Sequence, residues 1–257
     1  MATTYRVARQ TARWCRFAAV SVDVGTASRH EVVGAPDGIH PYRLREAELG
    51  AWQALRALPA GSGPRQVIIR DIVASDADTN IGDIHEAAAR AVWQAPDVDP
   101  RPAYAGFGDP ELVDLWLRDR IGLRLTAVTE ARHWYDGRRG PDADGLLHMW
   151  LHFERGAPTK LHGQGDELLL SVEEPYASYD MDEYGEVRVG SRAPDLLAGI
   201  VGARLDAAAV VLGPGDAPVC AGLRLRLGGA EITIATYGDE WTLARSDLPG
   251  KTDGRSS

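Results

Sequence analysis

An internal repeat in the second half of this 257-residue sequence constrains the fold more than any other feature. The stretch Ile121–Leu125 matches Val201–Leu205, and Gly165-Asp166-Glu167 matches Gly238-Asp239-Glu240. Helical periodicity is absent from both copies, and Gly-Asp turn signals separate short apolar runs. The sequence therefore predicts a duplicated β structure.

The repeat predicts a single β domain over residues 109–249. Its copies run from about 121 to 175 and from about 201 to 249, and each is typical of three strands joined by Gly, Asp or Pro turns. Three strands bury little apolar surface alone. The copies should therefore pack together as one pseudo-symmetric unit, a β-sandwich or a half-open barrel.

A proline-rich segment separates this domain from the first part of the chain. Pro96, Pro100 and Pro102 fall within one short stretch, which cannot continue a helix or pair as a central strand. We therefore predict a first domain over 1–96 and a linker over 97–108. The last residues, 250–257, are expected to form a disordered tail.

The first domain contains both helical and strand periodicity. Val20, Val22 and Val24 alternate with other residues, as in a half-buried strand, whereas apolar residues between Pro41 and Leu58 recur at helical spacing. The predicted elements are strands at 5–7, 14–24, 30–33 and 66–73 and helices at 41–58 and 83–95. The predicted order is β-β-β-α-β-α, and the whole chain is predicted to be α+β.

Charge is distributed unevenly between the two parts. The chain has a net charge of −9; residues 1–96 carry 11 arginines against 10 carboxylates, and residues 97–257 carry 17 basic against 27 acidic residues. The net negative charge of the chain therefore comes entirely from the second part. An acidic surface repels phosphate backbones, which disfavours nucleic-acid binding there.

Several protein classes are excluded by composition and motifs. No apolar run approaches the roughly 20 residues that span a bilayer, and the first residues lack a signal-peptide profile, so we expect a cytoplasmic protein without membrane contact. Cys15 and Cys220 belong to no C-x-x-C motif, and no G-x-S-x-G motif occurs. We predict no catalytic residue, no metal and no cofactor.

The segment from Val67 to Ala95 resembles a domain of known proteins. A strand, Val67–Val73, is followed by an Asp-rich turn, Asp76–Thr79, and by an alanine-rich helix that contains a late aromatic residue. With the order of elements over about 5–95, this resembles the fourth domain of translation elongation factor G and its ribosome-protection relatives. The resemblance implies a ribosomal-protein-like α/β fold. No G-x-x-x-x-G-K-[ST] motif is present, so neither a nucleotide site nor translocase activity is expected.

An acidic segment that contains three tyrosines, 173–186, lies between the two copies of the repeat. Tyrosines anchor protein contacts and carboxylates select a basic partner, so we predict a protein-binding loop. The predicted partner-binding residues are Tyr176, Tyr179, Asp180, Asp182, Glu183 and Tyr184. A solvated loop is the alternative, and a calcium loop is disfavoured because the later glycine and glutamate are missing at the required spacing.

Four histidines and two Gly-Asp-Glu triplets are the other candidates for chemistry. His133, His148, His152 and His162 all fall in the first copy. Four residues along a strand span about 13 Å, so His148 and His152 cannot share a zinc ion, whereas a site that includes His162 stays open. The triplets are interpreted as hairpin turns, with acid-base or cation-binding carboxylates as the alternative.

Three functions are compatible with these observations. The first is a non-catalytic protein-binding module, with an immunity or antitoxin role against a basic target as a specific form. The second is a ribosome- or RNA-associated factor that uses the arginines near the start of the chain, Arg6, Arg9, Arg13 and Arg16. Of these, Arg6 and Arg16 are predicted to lie in separate strands, and Arg9 and Arg13 in the turn between them. The third is a hydrolase with its site in a cleft between the domains.

Overall fold

The computed structural model describes residues 1–34, 36–96, 98, 104–214 and 218–247. The predicted tail, 250–257, and residues 97 and 99–103 of the predicted linker lie outside the described residues. The chain divides into two compact units: Met1–Leu112 with Leu170–Val172, and Val113–Leu169 with Glu173–Ser257. Among the described helices, none combines the length and the apolar character that crossing a membrane requires.

The first unit has the predicted order β-β-β-α-β-α. Its elements are β1 (Thr3–Gln10), β2 (Cys15–Thr26), β3 (Glu31–Gly34), α1 (Pro41–Arg56), β4 (Arg65–Ala74) and α2 (Asp83–Gln94). The sheet order is β1-β2-β4-β3, and only the β3–β4 pair is parallel among the described strands. β1 extends beyond the predicted 5–7, so Arg9 lies in a strand and not in the turn.

Close packing of small residues holds the two helices of this unit together. Ala87, Ala88 and Ala91 of α2 are fully buried with Ala47 and Ala51 of α1. At Gly50 of α1 a Cβ atom would overlap the carbonyl oxygen of His85. The helices therefore approach at a distance that only glycine permits at this position.

A buried polar network fixes the start of α2 in the first unit. The Glu46 carboxylate accepts hydrogen bonds from the backbone N–H groups of Gly82, Ile84 and His85, at 2.8, 3.2 and 3.2 Å. Burial raises the pKa of Glu46 to about 7, although these hydrogen bonds oppose the shift. The N–H groups at the start of a helix have no hydrogen-bond partner within the helix, and the Glu46 side chain accepts from three of them at the start of α2.

Arg16 lies in a strand, β2, as predicted, and its guanidinium belongs to the same buried region. Its Nε donates to Asp83 Oδ1 and its Nη2 donates to Glu86 Oε2, both at 2.7 Å, and it is only 2% exposed. Arg6, Arg9 and Arg13 are exposed. The four arginines therefore do not form one RNA-binding patch.

The second part of the chain is built mainly from antiparallel strands. Its elements are α3 (Pro110–Arg118), β5 (Leu125–Tyr135), β6 (Arg138–Arg139), β7 (Leu146–Phe153), β8 (Thr159–Gln164), β9 (Glu167–Val172), β10 (Tyr179–Asp180), a 3-10 helix (Asp182–Tyr184), β11 (Glu186–Gly190), α4 (Asp195–Ala198), β12 (Leu205–Leu212), β13 (Cys220–Leu227), β14 (Ala230–Tyr237) and β15 (Glu240–Asp247). One sheet has the order β10-β11-β5-β7-β8-β9, with β6 paired to β5, and the other has β12-β13-β14-β15. Each copy thus contributes a meander of four strands, not the three predicted.

The duplication is visible in the pairing register of the two meanders. The β5–β7 register shifts between Leu125 and Ala127 and again between Ala131 and Arg132. The β12–β13 register shifts at the positions 80 residues later, between Leu205 and Ala207 and between Val211 and Leu212. The irregularities recur at matching positions, so the two copies share strand geometry as well as sequence.

Reciprocal hydrogen bonds join the two copies within the second unit. Gly122 N–H donates to the Leu205 carbonyl and Gly202 N–H donates to the Leu125 carbonyl, each at 2.7 Å.

The two Gly-Asp turns make a second reciprocal contact. Asp166 accepts from the Gly238 N–H at 2.7 Å, and Asp239 accepts from the Gly165 N–H. The triplets are therefore turns, as predicted, whose aspartates each bond to the turn of the other copy.

Candidate functional site

The predicted acidic loop contains a short β-hairpin added to the sheet. Tyr179 pairs with Val187 of β11, and Val187 pairs in turn with His133 of β5. The hairpin closes through the 3-10 helix and Gly185, whose φ is +95°. A Cβ atom at Gly185 would overlap the Trp134 carbonyl oxygen, so glycine is required where the hairpin turns onto β5.

A second turn lies beside this hairpin and was missed by the sequence analysis. Tyr135 of β5 pairs with Arg138 of β6, and the connecting Asp136 and Gly137 have φ angles of +49° and +67°. Asp-Gly between an aromatic residue and an extended segment is a strong hairpin signal, so this turn could have been found.

An open depression of about 390 Å³ separates the two turns. Its lining is rich in carboxylates, and the lining residues are Trp134, Tyr135, Asp136, Gly137, Asp180, Asp182, Glu183, Gly185 and Glu186. Glu186 pairs with Arg188 at 2.5 Å. Among the described residues, Asp136, Asp182 and Glu183 form no ion pair, so they are available to a cation from outside.

Large apolar side chains are exposed on the same two turns. Tyr135 is 61% exposed, Tyr184 65%, Tyr179 48% and Met181 38%. Single exposed apolar residues are ordinary on protein surfaces, whereas a group of them on adjacent turns is a candidate interaction site. We name this region, residues 134–137 with 179–186, the acidic tyrosine surface.

Tyr176 does not share this exposure with the other two predicted tyrosines. Its ring packs at 5.2 Å from the Trp150 ring, and its hydroxyl hydrogen-bonds with His148 Nδ1 at 2.6 Å. Burial raises the pKa of Tyr176 to about 12. Tyr176 therefore anchors the start of the segment to the sheet, whereas Tyr179 and Tyr184 point their rings to solvent.

The four predicted histidines lie on one face of the sheet, where two of them hold the segment in place. His133 Nε2 contacts the Tyr184 carbonyl oxygen at 2.5 Å, and His148 binds Tyr176. His148 and His162 are cross-strand neighbours with Nε2 and Nδ1 at 2.9 Å. Among the described residues no group of three His, Cys, Asp or Glu side chains could hold a metal ion.

We expect acid to weaken the second unit through His148. Burial, with nearby Lys160 and His162, lowers the pKa of His148 to about 3 from an ordinary value near 6.5. Between these values the unfolded chain binds a proton that the folded chain excludes, so stability is full above pH 6.5 and declines as pH falls towards 3. Allowing for partial solvent screening, the loss between pH 7 and pH 4.5 should be about 1–2 kcal/mol.

The test measures the denaturant unfolding of the wild type and of the His148→Gln variant, each at pH 7 and at pH 4.5. The variant should lose less stability on acidification, whereas His30→Gln, at an exposed position, should follow the wild type. Parallel profiles for all three proteins would show that His148 does not carry the effect.

Comparisons with known proteins provide little further information. No protein-family model matches the chain, and no curated protein is similar to it. Among the solved structures that match, a protein from Thermus thermophilus is similar over 34% of this chain and 14% of that chain, with 16% sequence identity and a TM-score of 0.31. The chain therefore spans a small part of that protein, and a likeness this weak supports no statement about fold or function.

Proposed function

We propose that this protein is a non-catalytic protein-binding module that holds a basic segment of its partner on the acidic tyrosine surface. One observation carries the proposal: the exposed Tyr135 lines a depression together with Asp136, Asp182 and Glu183, and these three carboxylates have no cationic partner among the described residues. Two further exposed tyrosines, Tyr179 and Tyr184, belong to the same hairpin as Asp182 and Glu183. Carboxylates accept hydrogen bonds from guanidinium and ammonium groups, and aromatic rings attract them by cation–π contact.

An arginine of the chain itself illustrates this mode of recognition. The Arg188 guanidinium lies 3.8 Å from the centre of the Trp134 ring while it pairs with Glu186 at 2.5 Å. Tyr135, Tyr179 and Tyr184 offer further rings beside further carboxylates. An arginine from a partner could therefore be held in the same way, by a ring and a carboxylate together.

An immunity- or antitoxin-like role is a narrower form of this proposal. Such a role suits the net charge of −10 over residues 97–257, because an acidic protein is attracted to a basic target such as a nuclease. Charge complementarity of this kind raises the association rate and the specificity more than the final affinity.

The test uses a fluorescein-labelled, arginine-rich peptide and its glutamate-rich counterpart in anisotropy titrations. The triple variant Tyr184→Ala, Asp182→Asn, Glu183→Gln should bind the basic peptide at least about tenfold more weakly, and the loss should be largest at low salt. The matched control Tyr237→Ala, Asp206→Asn, Glu240→Gln removes one exposed tyrosine and two exposed carboxylates from the second copy and should bind like the wild type. Equal affinity of both triple variants would contradict the proposal.

The resemblance of the first unit to the fourth domain of elongation factor G stays a proposal that rests on the order β-β-β-α-β-α. An RNA-binding function is less well supported, because Arg16 is paired with Asp83 and Glu86 inside the unit. A ribosomal RNA fragment in the same titrations distinguishes the two functions. Submicromolar RNA binding at physiological salt that depends on Arg6, Arg9 and Arg13 would replace the protein-binding proposal.

A further inference from the structure

β12 is an edge strand of the second unit. In the part of the chain that the structure describes, β13 is the only strand that pairs with β12 along its length, and only Leu205 at its start makes further backbone bonds, with Gly122 and Leu123. An edge of this kind presents backbone N–H and C=O groups that can pair with another strand.

The equivalent edge in the first copy is occupied. β5 corresponds to β12 through the shared register, and β11 pairs antiparallel with β5 over Glu130–Trp134. In the second copy, the residues that correspond to Glu130–Trp134 lie 80 positions later and begin at Val210, in the second half of β12. The repeat thus contains an example of an antiparallel strand bound at this edge. In the second copy no strand of the described residues occupies the part of that place that lies in β12, Val210–Leu212.

The side chains of Ala207–Leu212, which form most of β12, offer none of the usual protection against strand pairing. Ala207–Leu212 reads AAAVVL, without a charge or a proline, and Leu212 is 54% exposed. β15, the opposite edge of the same sheet, carries Glu240 and Arg245. Natural edge strands are commonly protected by charged residues, so an uncharged apolar edge is suited to pairing.

We propose that the edge of β12 pairs antiparallel with β12 of a second copy of this chain, which forms a two-fold symmetric dimer through one continuous eight-stranded sheet. Pairing centred on Ala209 places Ala208 opposite Val210 and Ala207 opposite Val211, so apolar side chains meet on both faces. Asp206, the one charged residue of β12, then lies opposite Leu212 and about 20 Å along the strand from its symmetry mate, so like charges stay apart. β12 carries only one carboxylate, Asp206, so it offers little electrostatic attraction to a basic partner. The apolar edge strand of a second copy matches it better.

Only seven residues, Asp206–Leu212, pair from each copy, so the contact is small and the dimer is expected to dissociate at about 10–100 µM. Analytical ultracentrifugation from about 5 to 500 µM should show the mass rise from 27.8 kDa towards twice that value. Amide hydrogen exchange within Ala207–Leu212 should slow over the same concentration range.

The decisive variant is Ala209→Lys with Leu212→Lys, because both positions are exposed and their substitution removes no buried group. It should stay monomeric at every concentration and keep the wild-type melting temperature. The matched control Thr242→Lys with Ala244→Lys adds the same charges at exposed positions of β15 and should dimerise like the wild type.

A wild type that stays monomeric at 500 µM overturns the proposal, as does a dimer that survives the β12 variant. A dimer lost only in the Tyr184, Asp182, Glu183 variant would assign the contact to the acidic tyrosine surface instead.

Discussion

Replacing Arg16 by methionine should lower the free energy of unfolding of the first unit by about 3–5 kcal/mol. The guanidinium is 2% exposed and donates to Asp83 and Glu86, and Asp83 is itself fully buried. Methionine fills a similar volume but leaves the buried Asp83 without a cation and Glu86 with Arg90 alone. Burial raises the pKa of Asp83 and Arg16 opposes that shift, so the variant should lose less stability as the pH is lowered, because a proton on Asp83 removes its unpaired charge.

Arg6→Met is the matched control for this prediction. Arg6 is exposed and lies over the Phe17 ring at 5.0 Å, so its replacement should cost less than about 1 kcal/mol. Denaturant unfolding followed by circular dichroism measures both variants. Equal, small losses for the two would mean that the Arg16 network contributes little to folding.

Truncating Trp150 to alanine should destabilise the second unit by about 3–5 kcal/mol. Trp150 is fully buried among Ala131, Val187 and the partly buried Tyr176 and Val189. Its removal leaves a cavity beneath the segment that carries the acidic tyrosine surface, because the Tyr176 ring packs directly on the indole. The variant should therefore also weaken binding of the arginine-rich peptide.

Two tryptophan variants separate the sources of this loss. Trp150→Phe should cost only about 1–2 kcal/mol, because the indole Nε1 has no hydrogen-bond partner within the described residues and mainly volume is lost. Trp134→Ala removes a partly exposed ring that contacts Arg188 and should cost less than Trp150→Ala. A Trp150→Ala protein as stable as Trp134→Ala would refute the packing argument.

The order of elements in the first unit was predictable because each element buries one face. The period of two in β2 places Ala18, Val20 and Val22 on the buried side, and helical spacing marks α1 and α2. The same period places Arg16 on that buried side. Its pairing was not predictable, because its partners Asp83 and Glu86 lie 67 and 70 residues away.

The strand content of the second part was only partly predictable. β12 contains three consecutive alanines, which have low strand propensity, and its residues show no clear alternation of burial. It is a strand because β13 pairs with it. The acidic segment was predicted as a loop because carboxylates are depleted in strands. β11 is nevertheless a strand, because the exposed edge of β5 pairs with it.

The sequence by itself determined the α+β class, the β-β-β-α-β-α order and the duplication, because periodicity and repetition are local properties of a chain. Which tyrosines of the acidic segment face solvent was decided by tertiary contacts. Tyr176 and Tyr179 lie in the same short segment, yet only Tyr176 meets Trp150 and His148. Such assignments depend on contacts between residues distant in sequence, and no pattern within the segment encodes those contacts.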